Sequence, residues 1–146
     1  MTEKAPVNLF IDYFSQPSRA ILTLCNLENI PYRVVETRLA KGDTLSQKFK
    51  QINPRGQVPA IIHNDRPIIE SGAILRYLCN EFLPEDNQFY PRSNQEKLAE
   101  IDQYLNDHYH TTRLVAGYIF ATLFAKPLGV KMPESDEYFK KRALLA

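Results

Sequence analysis

Val7-Asn8-Leu9-Phe10-Ile11-Asp12-Tyr13-Phe14-Ser15-Gln16-Pro17-Ser18-Arg19-Ala20-Ile21 is the stretch on which the fold turns. Its first half, Val7 to Tyr13, is β-branched, aromatic and apolar apart from Asn8 and Asp12, the pattern of a buried strand. Beyond Ser15 and Pro17 the period changes, and Ala20, Ile21, Leu24, Cys25 and Leu27 recur every three or four residues along one face of a helix. That spacing stops at Ile30-Pro31, because the residue before a proline is pushed out of helical backbone. A strand running into a helix through a serine is the building unit of an α/β fold. The turn gathers the helix's free amides beside the carboxyl end of the strand, where such sheets present ligand sites.

Working outward, Tyr32 to Thr37 predicts a second strand, and Leu45, Phe49 and Ile52 predict a short amphipathic helix over Thr44 to Ile52 after the Lys41-Gly42 break. Val58 to Ile62 and Arg66 to Ile69 flank His63-Asn64-Asp65, a turn-forming trio, and predict an antiparallel hairpin. Glu70-Ser71 opens another helix, with Ala73, Ile74, Tyr77, Leu78 and Phe82 on its apolar face, ending before Pro84. The order is β-α-β-α-β-β-α over residues 1–83. Pro84, Asp86, Asn87 and Pro91 break periodicity and predict a linker over 84–92. Ser93-Asn94-Gln95-Glu96 has the form of a capping box. The stripe Leu98, Ile101, Leu105, Thr112, Val115, Ile119 and Leu123 then predicts one helix of about seven turns, closed by Pro127-Leu128-Gly129. Ser135 to Ala146 begins one further helix, so residues 93–146 are expected to form a partial all-helical domain.

At 146 residues the chain has room for one core, or one and a fragment of a second. Its 18 Lys and Arg against 17 Asp and Glu leave a net charge of +1, which supplies no basic field for nucleic acid. The start lacks a cationic segment leading into a long apolar one, and no stretch reaches the ~18 uninterrupted apolar residues of a membrane helix, so a soluble protein is expected. Cys25 and Cys79 sit apart among apolar residues and read as small core side chains of a cytoplasmic protein rather than a disulfide or nucleophiles. His108 and His110, two apart on a helix, point in nearly opposite directions, so no metal site is expected. The five glycines never cluster, which excludes nucleotide-binding loops.

Ser15 reads either as an N-cap or as a hydroxyl offered to a ligand. Ser15 and Ser18 have the spacing of a Cys-x-x-Cys pair, but hydroxyls do not cycle through a disulfide. Glu70-Ser71 reads either as ordinary capping or as a site for an amino-acid zwitterion, with helix amides and a hydroxyl for the carboxylate and Glu70 for the ammonium. Val58-Pro59 is a candidate cis bond, a form taken by only about 5–6% of such bonds in folded proteins. Tyr104, Tyr109, Tyr118 and Phe120 read as core, with part of the series available to line a cleft.

Three runs, Ser15-Gln16-Pro17-Ser18-Arg19-Ala20, Asn53-Pro54-Arg55-Gly56-Gln57-Val58-Pro59-Ala60-Ile61 and Glu70-Ser71-Gly72-Ala73-Ile74-Leu75-Arg76-Tyr77-Leu78, together resemble the glutathione transferases, the theta class most closely. The resemblance continues through Tyr90-Pro91, His110-Thr111-Thr112-Arg113 and Gly129-Val130-Lys131-Met132-Pro133-Glu134. It implies a thioredoxin-like N-terminal domain followed by an all-α C-terminal domain, with glutathione as co-substrate and neither metal nor nucleotide. It assigns Ser15 to the catalytic hydroxyl that bonds the glutathione sulfur, Val58 before a cis Pro59 to the cysteinyl backbone, and Glu70 with Ser71 to the γ-glutamyl group. Thr44 and Gln57 stand where theta enzymes often carry a histidine and a lysine facing the glycine carboxylate, with Lys41 or Arg55 placed to compensate. Arg113 matches a cleft arginine, and Asp107 a residue near the electrophile site or reaching across a dimer interface. Family members continue through several more helices, so the C-terminal domain is expected to be truncated and the electrophile pocket incomplete or completed by dimerisation. The expected protein is a cytoplasmic, homodimeric detoxification enzyme that conjugates glutathione to small hydrophobic electrophiles or reduces organic hydroperoxides. The alternative is a catalytically weak binding or interaction module.

Overall fold

The structure, a computed structural model, describes residues 4–120 and 123. The chain divides into two compact units, Met1–Asn94 and Gln95–Ala146. In the first, β1 (Val7–Ile11) pairs in parallel with β2 (Tyr32–Glu36) and antiparallel with β3 (Ala60–His63), which pairs antiparallel with β4 (Arg66–Ile69). The sheet order is β2-β1-β3-β4. The alternation of β1 places Val7, Leu9 and Ile11 inward and fully buried. Helices α1 (Gln16–Leu27) and α3 (Ser71–Phe82) pack against each other, adding Ile21, Leu24 and Cys25 from one and Ile74, Leu78 and Cys79 from the other to the core. Each large side chain of this set contributes roughly 1.5–3 kcal/mol by burial. The arrangement is the β-α-β-α-β-β-α order that periodicity predicts and the thioredoxin-like domain that the resemblance implies.

Strand β1 ends at Ile11 rather than Tyr13, because the Asp12 carboxylate accepts the Phe14 N–H at 2.8 Å and turns the chain. The helix expected over Thr44 to Ile52 is reduced to α2 (Gln47–Lys50), preceded by two 3-10 turns, Leu39–Lys41 and Asp43–Leu45. Three local features divide it. Gly42 takes φ +73°, the Asp43 carboxylate accepts the Arg38 N–H at 2.8 Å, and the Ser46 hydroxyl restarts the helix by accepting the Phe49 N–H at 3.2 Å. His63 belongs to β3, and the hairpin turns on Asn64 and Asp65 alone, at φ 50° and 59°. The segment 84–92, expected as a linker, belongs to the first unit, where Arg92 donates to the Cys79 and Leu83 carbonyls at 2.9 and 3.0 Å and Tyr90 is buried.

His63 is buried and bridges distant segments. Its Nε2 lies 3.2 Å from the Ala5 carbonyl, which can only accept, so Nε2 donates there, while Nδ1 shares a hydrogen bond with the Tyr77 hydroxyl at 2.7 Å. Burial first, then Glu81, raises the Tyr77 hydroxyl above its ordinary pKa and keeps it protonated, against a smaller opposing effect of Arg66.

The second unit contains α4 (Gln95–His110) and α5 (Thr112–Phe120) in place of the single long helix. The break falls at Thr111, whose hydroxyl donates back to the Asp107 carbonyl at 3.0 Å, a bond that bends helices. Helix α4 starts at Gln95, later than a Ser93 cap requires, and the Ser93 N–H instead donates to the Glu85 carbonyl at 3.4 Å. The stop expected at Pro127-Leu128-Gly129 and the helix expected over 135–146 lie outside the described residues. No helix among the described residues is long and apolar enough to cross a membrane.

Candidate functional site

Strand polarity brings three stretches to one end of the sheet. Phe10 pairs with Ala60 and Ala60 with Ile69, so Asp12 to Ser15 leaving β1, Val58-Pro59 entering β3 and Glu70 leaving β4 all emerge at the same edge. Three of the residue groups marked by sequence, Ser15, Val58 and Glu70-Ser71, are thereby placed along a single rim.

Ser15 is the N-cap of α1, with extended backbone at φ −73° and ψ 116° and Pro17 in the first turn. Its main chain is tied down, the N–H donating to the Asp12 carbonyl at 3.0 Å and the carbonyl accepting the Arg19 N–H at 3.1 Å. Its hydroxyl does not cap the helix. The capping alternative therefore lacks the bond that defines it, and the hydroxyl stands half-buried beside the positive end of a twelve-residue helix. Asp12, buried, accepts from the Phe14 and Leu39 amides at 2.8 Å each. Arg19 closes the turn from the other side by donating to the Tyr13 and Phe14 carbonyls at 3.0 and 2.9 Å.

The bend before β3 is built by Asn53, a buried side chain that donates to the Gln57 carbonyl at 2.7 Å and accepts the Arg55 N–H at 3.0 Å. Gly56 at φ +63° completes it, and a Cβ there would lie 3.1 Å from the Thr44 carbonyl. The Val58–Pro59 bond is cis. Among the described residues, the Val58 N–H and C=O take no hydrogen-bond partner, so the edge presents one free main-chain donor and one free acceptor.

Glu70 caps α3 with φ 70° and ψ 117°, a left-handed conformation that costs a non-glycine residue on the order of 1–3 kcal/mol. Its Oε1 accepts from the Arg55 guanidinium. With the two side chains 44% and 65% exposed, the pair contributes only about 0–1 kcal/mol to stability. Arg55, expected as a compensating cation for a glycine carboxylate, is thus engaged elsewhere. Thr44 is buried in the second 3-10 turn, Gln57 is exposed on the bend, and Lys41 is exposed at the end of the first turn.

In the second unit, the Asp107 carboxylate and carbonyl both accept from the Thr111 hydroxyl, at 3.3 and 3.0 Å, and the Arg113 guanidinium lies 5.9 Å over the Tyr109 ring. Cys25 and Cys79 are free and buried. Burial first, then the neighbouring Cys79, pushes Cys25 up to about 12, and burial with Glu28, opposed by Arg92, pushes Cys79 up to about 11. Both stay protonated thiols at neutral pH. Among the described residues no group of three or more His, Cys, Asp or Glu is placed to hold a metal ion. Sequence reading misses Asp12, Arg19 and Asn53 as builders of the rim. Their signal was available as short polar residues interrupting apolar strands and turns, the composition of side-chain-to-backbone bonding.

Residues 5–80 match the family described as glutathione S-transferase, N-terminal domain. Glutathione S-transferase T1 of Arabidopsis thaliana is 36% identical over 127 residues, which are 86% of this chain and 51% of that protein. Glutathione S-transferase theta-1 of Rattus norvegicus is 37% identical over 107 residues, 73% of this chain and 44% of that protein. The chain spans about half the length of the curated relatives it matches. Among solved structures, human glutathione S-transferase T1-1 in its apo form aligns with TM-score 0.78 at 28% identity, over 95% of this chain and 59% of its own. Human glutathione transferase theta-2, in complex with glutathione and an unknown ligand, aligns with TM-score 0.77 at 30% identity, over 95% of this chain and 58% of its own.

Proposed function

Since the chain belongs to the glutathione S-transferase family, with theta-class relatives among its matches, we propose that its first unit binds reduced glutathione and stabilises the thiolate for transfer to small hydrophobic electrophiles. From β1 to β4 the rim crosses two inter-strand spacings, roughly 10 Å. An extended tripeptide spans about the same length. The thiol then lies at Ser15, the cysteinyl amide and carbonyl meet the open main chain of Val58, and the γ-glutamyl group reaches Glu70 and Ser71. The glycine carboxylate falls toward Thr44 and Gln57, with Lys41 in their neighbourhood.

The observation that supports this reading best is the Ser15 hydroxyl, held at the start of α1 and not spent on capping it. One hydrogen bond to a thiolate is worth ~1.5–3 kcal/mol. At about 1.4 kcal/mol per unit, it lowers the thiol from its usual pKa of about 8.5 by roughly one to two units. The thiolate then attacks an electrophilic carbon, forming the S–C bond as the leaving group departs with its electron pair. With an organic hydroperoxide it attacks oxygen instead, releasing the alcohol and a glutathione sulfenic acid, which a second glutathione converts to the disulfide and water. In the second unit this reading assigns Asp107 and Arg113 to the electrophile side or to a contact across a homodimer. The two free, buried thiols of the first unit, Cys25 and Cys79, suit the reducing cytoplasm.

The test is the ultraviolet thiolate difference absorbance of glutathione with the protein between about pH 5 and 9, the range that brackets an ordinary thiol and its depressed form. Wild type and Ser15→Ala are compared, each verified as folded. A bound thiol titrating below free glutathione in the wild type, and returning toward it in the variant, is the expected result. Glutathione binding without a Ser15-dependent thiolate favours the second reading, an interaction module. Exposed apolar side chains at Tyr104, Val115 and Ile119 on α4 and α5 are what recommend that alternative.

A further inference from the structure

We propose that Arg19 is a positioning residue for the Ser15 hydroxyl: its side chain and Asp12 together fix the two peptide groups that precede Ser15, and this clamp aims the hydroxyl at the glutathione sulfur. The inference rests on the glutathione reading above and adds a residue to which that reading gives no contact with the ligand. Two consecutive peptide planes are each held at both ends. In the plane joining Tyr13 to Phe14, the N–H donates to Asp12 Oδ1 at 2.8 Å and the C=O accepts from Arg19 Nη1 at 3.0 Å. In the plane joining Phe14 to Ser15, the N–H donates to the Asp12 carbonyl at 3.0 Å and the C=O accepts from the same Nη1 at 2.9 Å. The plane that leaves Ser15 is held by residue 19 as well, its C=O accepting the Arg19 N–H at 3.1 Å. With the backbone pinned on both sides, Ser15 keeps only its side-chain rotation, a choice among three staggered wells.

Side-chain packing does not hold this turn. Tyr13 is 53% exposed and Phe14 86%, so neither supplies a buried anchor, whereas Asp12 is buried and also accepts the Leu39 N–H at 2.8 Å. Among the described residues, the Tyr13 and Phe14 carbonyls take no hydrogen-bond partner besides Arg19. Removing the guanidinium therefore frees both planes to rotate, while α1 keeps its place through Ile21, Leu24 and Cys25 in the core. Hydrogen bonds weaken steeply once the donor angle falls below about 120°, so a Ser15 free to swing gives up part of its bond to sulfur. Both contacts leave a single nitrogen, so a lysine ammonium, with its three donors, has the chemistry to replace the guanidinium.

The experiment follows the ultraviolet thiolate absorbance of glutathione bound to the full chain across pH. Wild type is compared with the neutral variants Arg19→Met and Arg19→Gln and with Arg19→Lys, each also combined with Ser15→Ala, and thermal unfolding verifies every fold. The neutral variants are expected to raise the bound thiol's pKa by roughly half of the one to two units that the Ser15 hydrogen bond supplies. Their glutathione affinity by calorimetry near pH 5, where the ligand binds as the thiol, is expected to change less than about twofold. Arg19→Lys is expected to restore the wild-type thiol pKa. In the Ser15→Ala background the neutral variants should add no further shift, because Arg19 acts through Ser15. A shift of equal size in that background means that the charge acts on sulfur directly and overturns the positioning role. Neutral variants with the wild-type thiol pKa, or a lysine variant as impaired as they are, overturn it too and leave the Ser15 reading standing. A folded wild type without a Ser15-dependent thiolate overturns that reading and this inference with it.

Discussion

The hydroxyl of Ser15 stands ahead of the first-turn amides of α1 without bonding to them, so its removal separates chemistry from stability. A serine that caps its helix costs about 0.5–2 kcal/mol when changed to alanine. Ser15→Ala is expected to change unfolding free energy in denaturant by less than about 0.5 kcal/mol, as for sites with no bond to lose. The same substitution raises the pKa of the bound glutathione thiol by roughly one to two units. The cysteines differ in kind. With Cys25 and Cys79 raised to about 12 and about 11 from an ordinary 9.0, both bind their protons more tightly folded than unfolded. Their contribution to stability is fully present below the unfolded thiol's pKa and is lost as pH rises toward the folded values. In the native protein a disulfide reagent at pH 8 is expected to leave both unmodified, with colour developing only as denaturant unfolds the chain. Prompt reaction of either thiol in the folded protein would contradict the burial found here.

At the scale of elements, the positive-φ residues among those described stand in turns and at helix ends. Gly56 and Gly42 both adopt left-handed backbone, but a Cβ at Gly56 meets a carbonyl at 3.1 Å, whereas at Gly42 it meets only Leu45 Cδ1 at 3.8 Å. Gly42→Ala is expected to cost about 1 kcal/mol from backbone alone and Gly56→Ala about 2 kcal/mol or more, read from denaturation midpoints. The hairpin invites the reverse change. Asn64 and Asp65 both have positive φ, the requirement of a tight two-residue turn, and Asp65→Gly should stabilise by up to about 1 kcal/mol. The apolar periodicity of α1 and α3 and the punctuation by Pro31, Pro84 and Asn64-Asp65 make most of this architecture legible in the sequence. The division of the 39–50 region is less so, because Asp43 and Ser46 act through side-chain bonds to nearby amides that compete with a continuous helix. For the same reason Thr111 parts α4 from α5 although the apolar stripe runs on through it.

Across the first unit, the rim is assembled by contacts that no local pattern records. Asp12 reaches the Leu39 amide across 27 positions and Arg55 reaches Glu70 across 15. Ser15, Val58 and Glu70 can be marked one by one in the sequence, but their convergence follows from strand polarity. The proposed ligand spans that convergence, so glutathione at about a hundred times its dissociation constant should stabilise the protein against unfolding by about 2.7 kcal/mol. Glu70→Gln, which removes the carboxylate, should abolish most of that stabilisation at the same glutathione concentration, as followed by thermal denaturation. The buried imidazole of His63 has a further use. Its ring proton, held on the Ala5 carbonyl at 3.2 Å by a buried side chain, is expected to exchange slowly enough to give its own nitrogen-bound proton resonance, apart from the amides. That signal makes a magnetic-resonance reporter with no added label at the junction of the amino-terminal edge, β3 and α3. Its disappearance on warming, ahead of the loss of helical signal, would time the opening of that edge within a single spectrum.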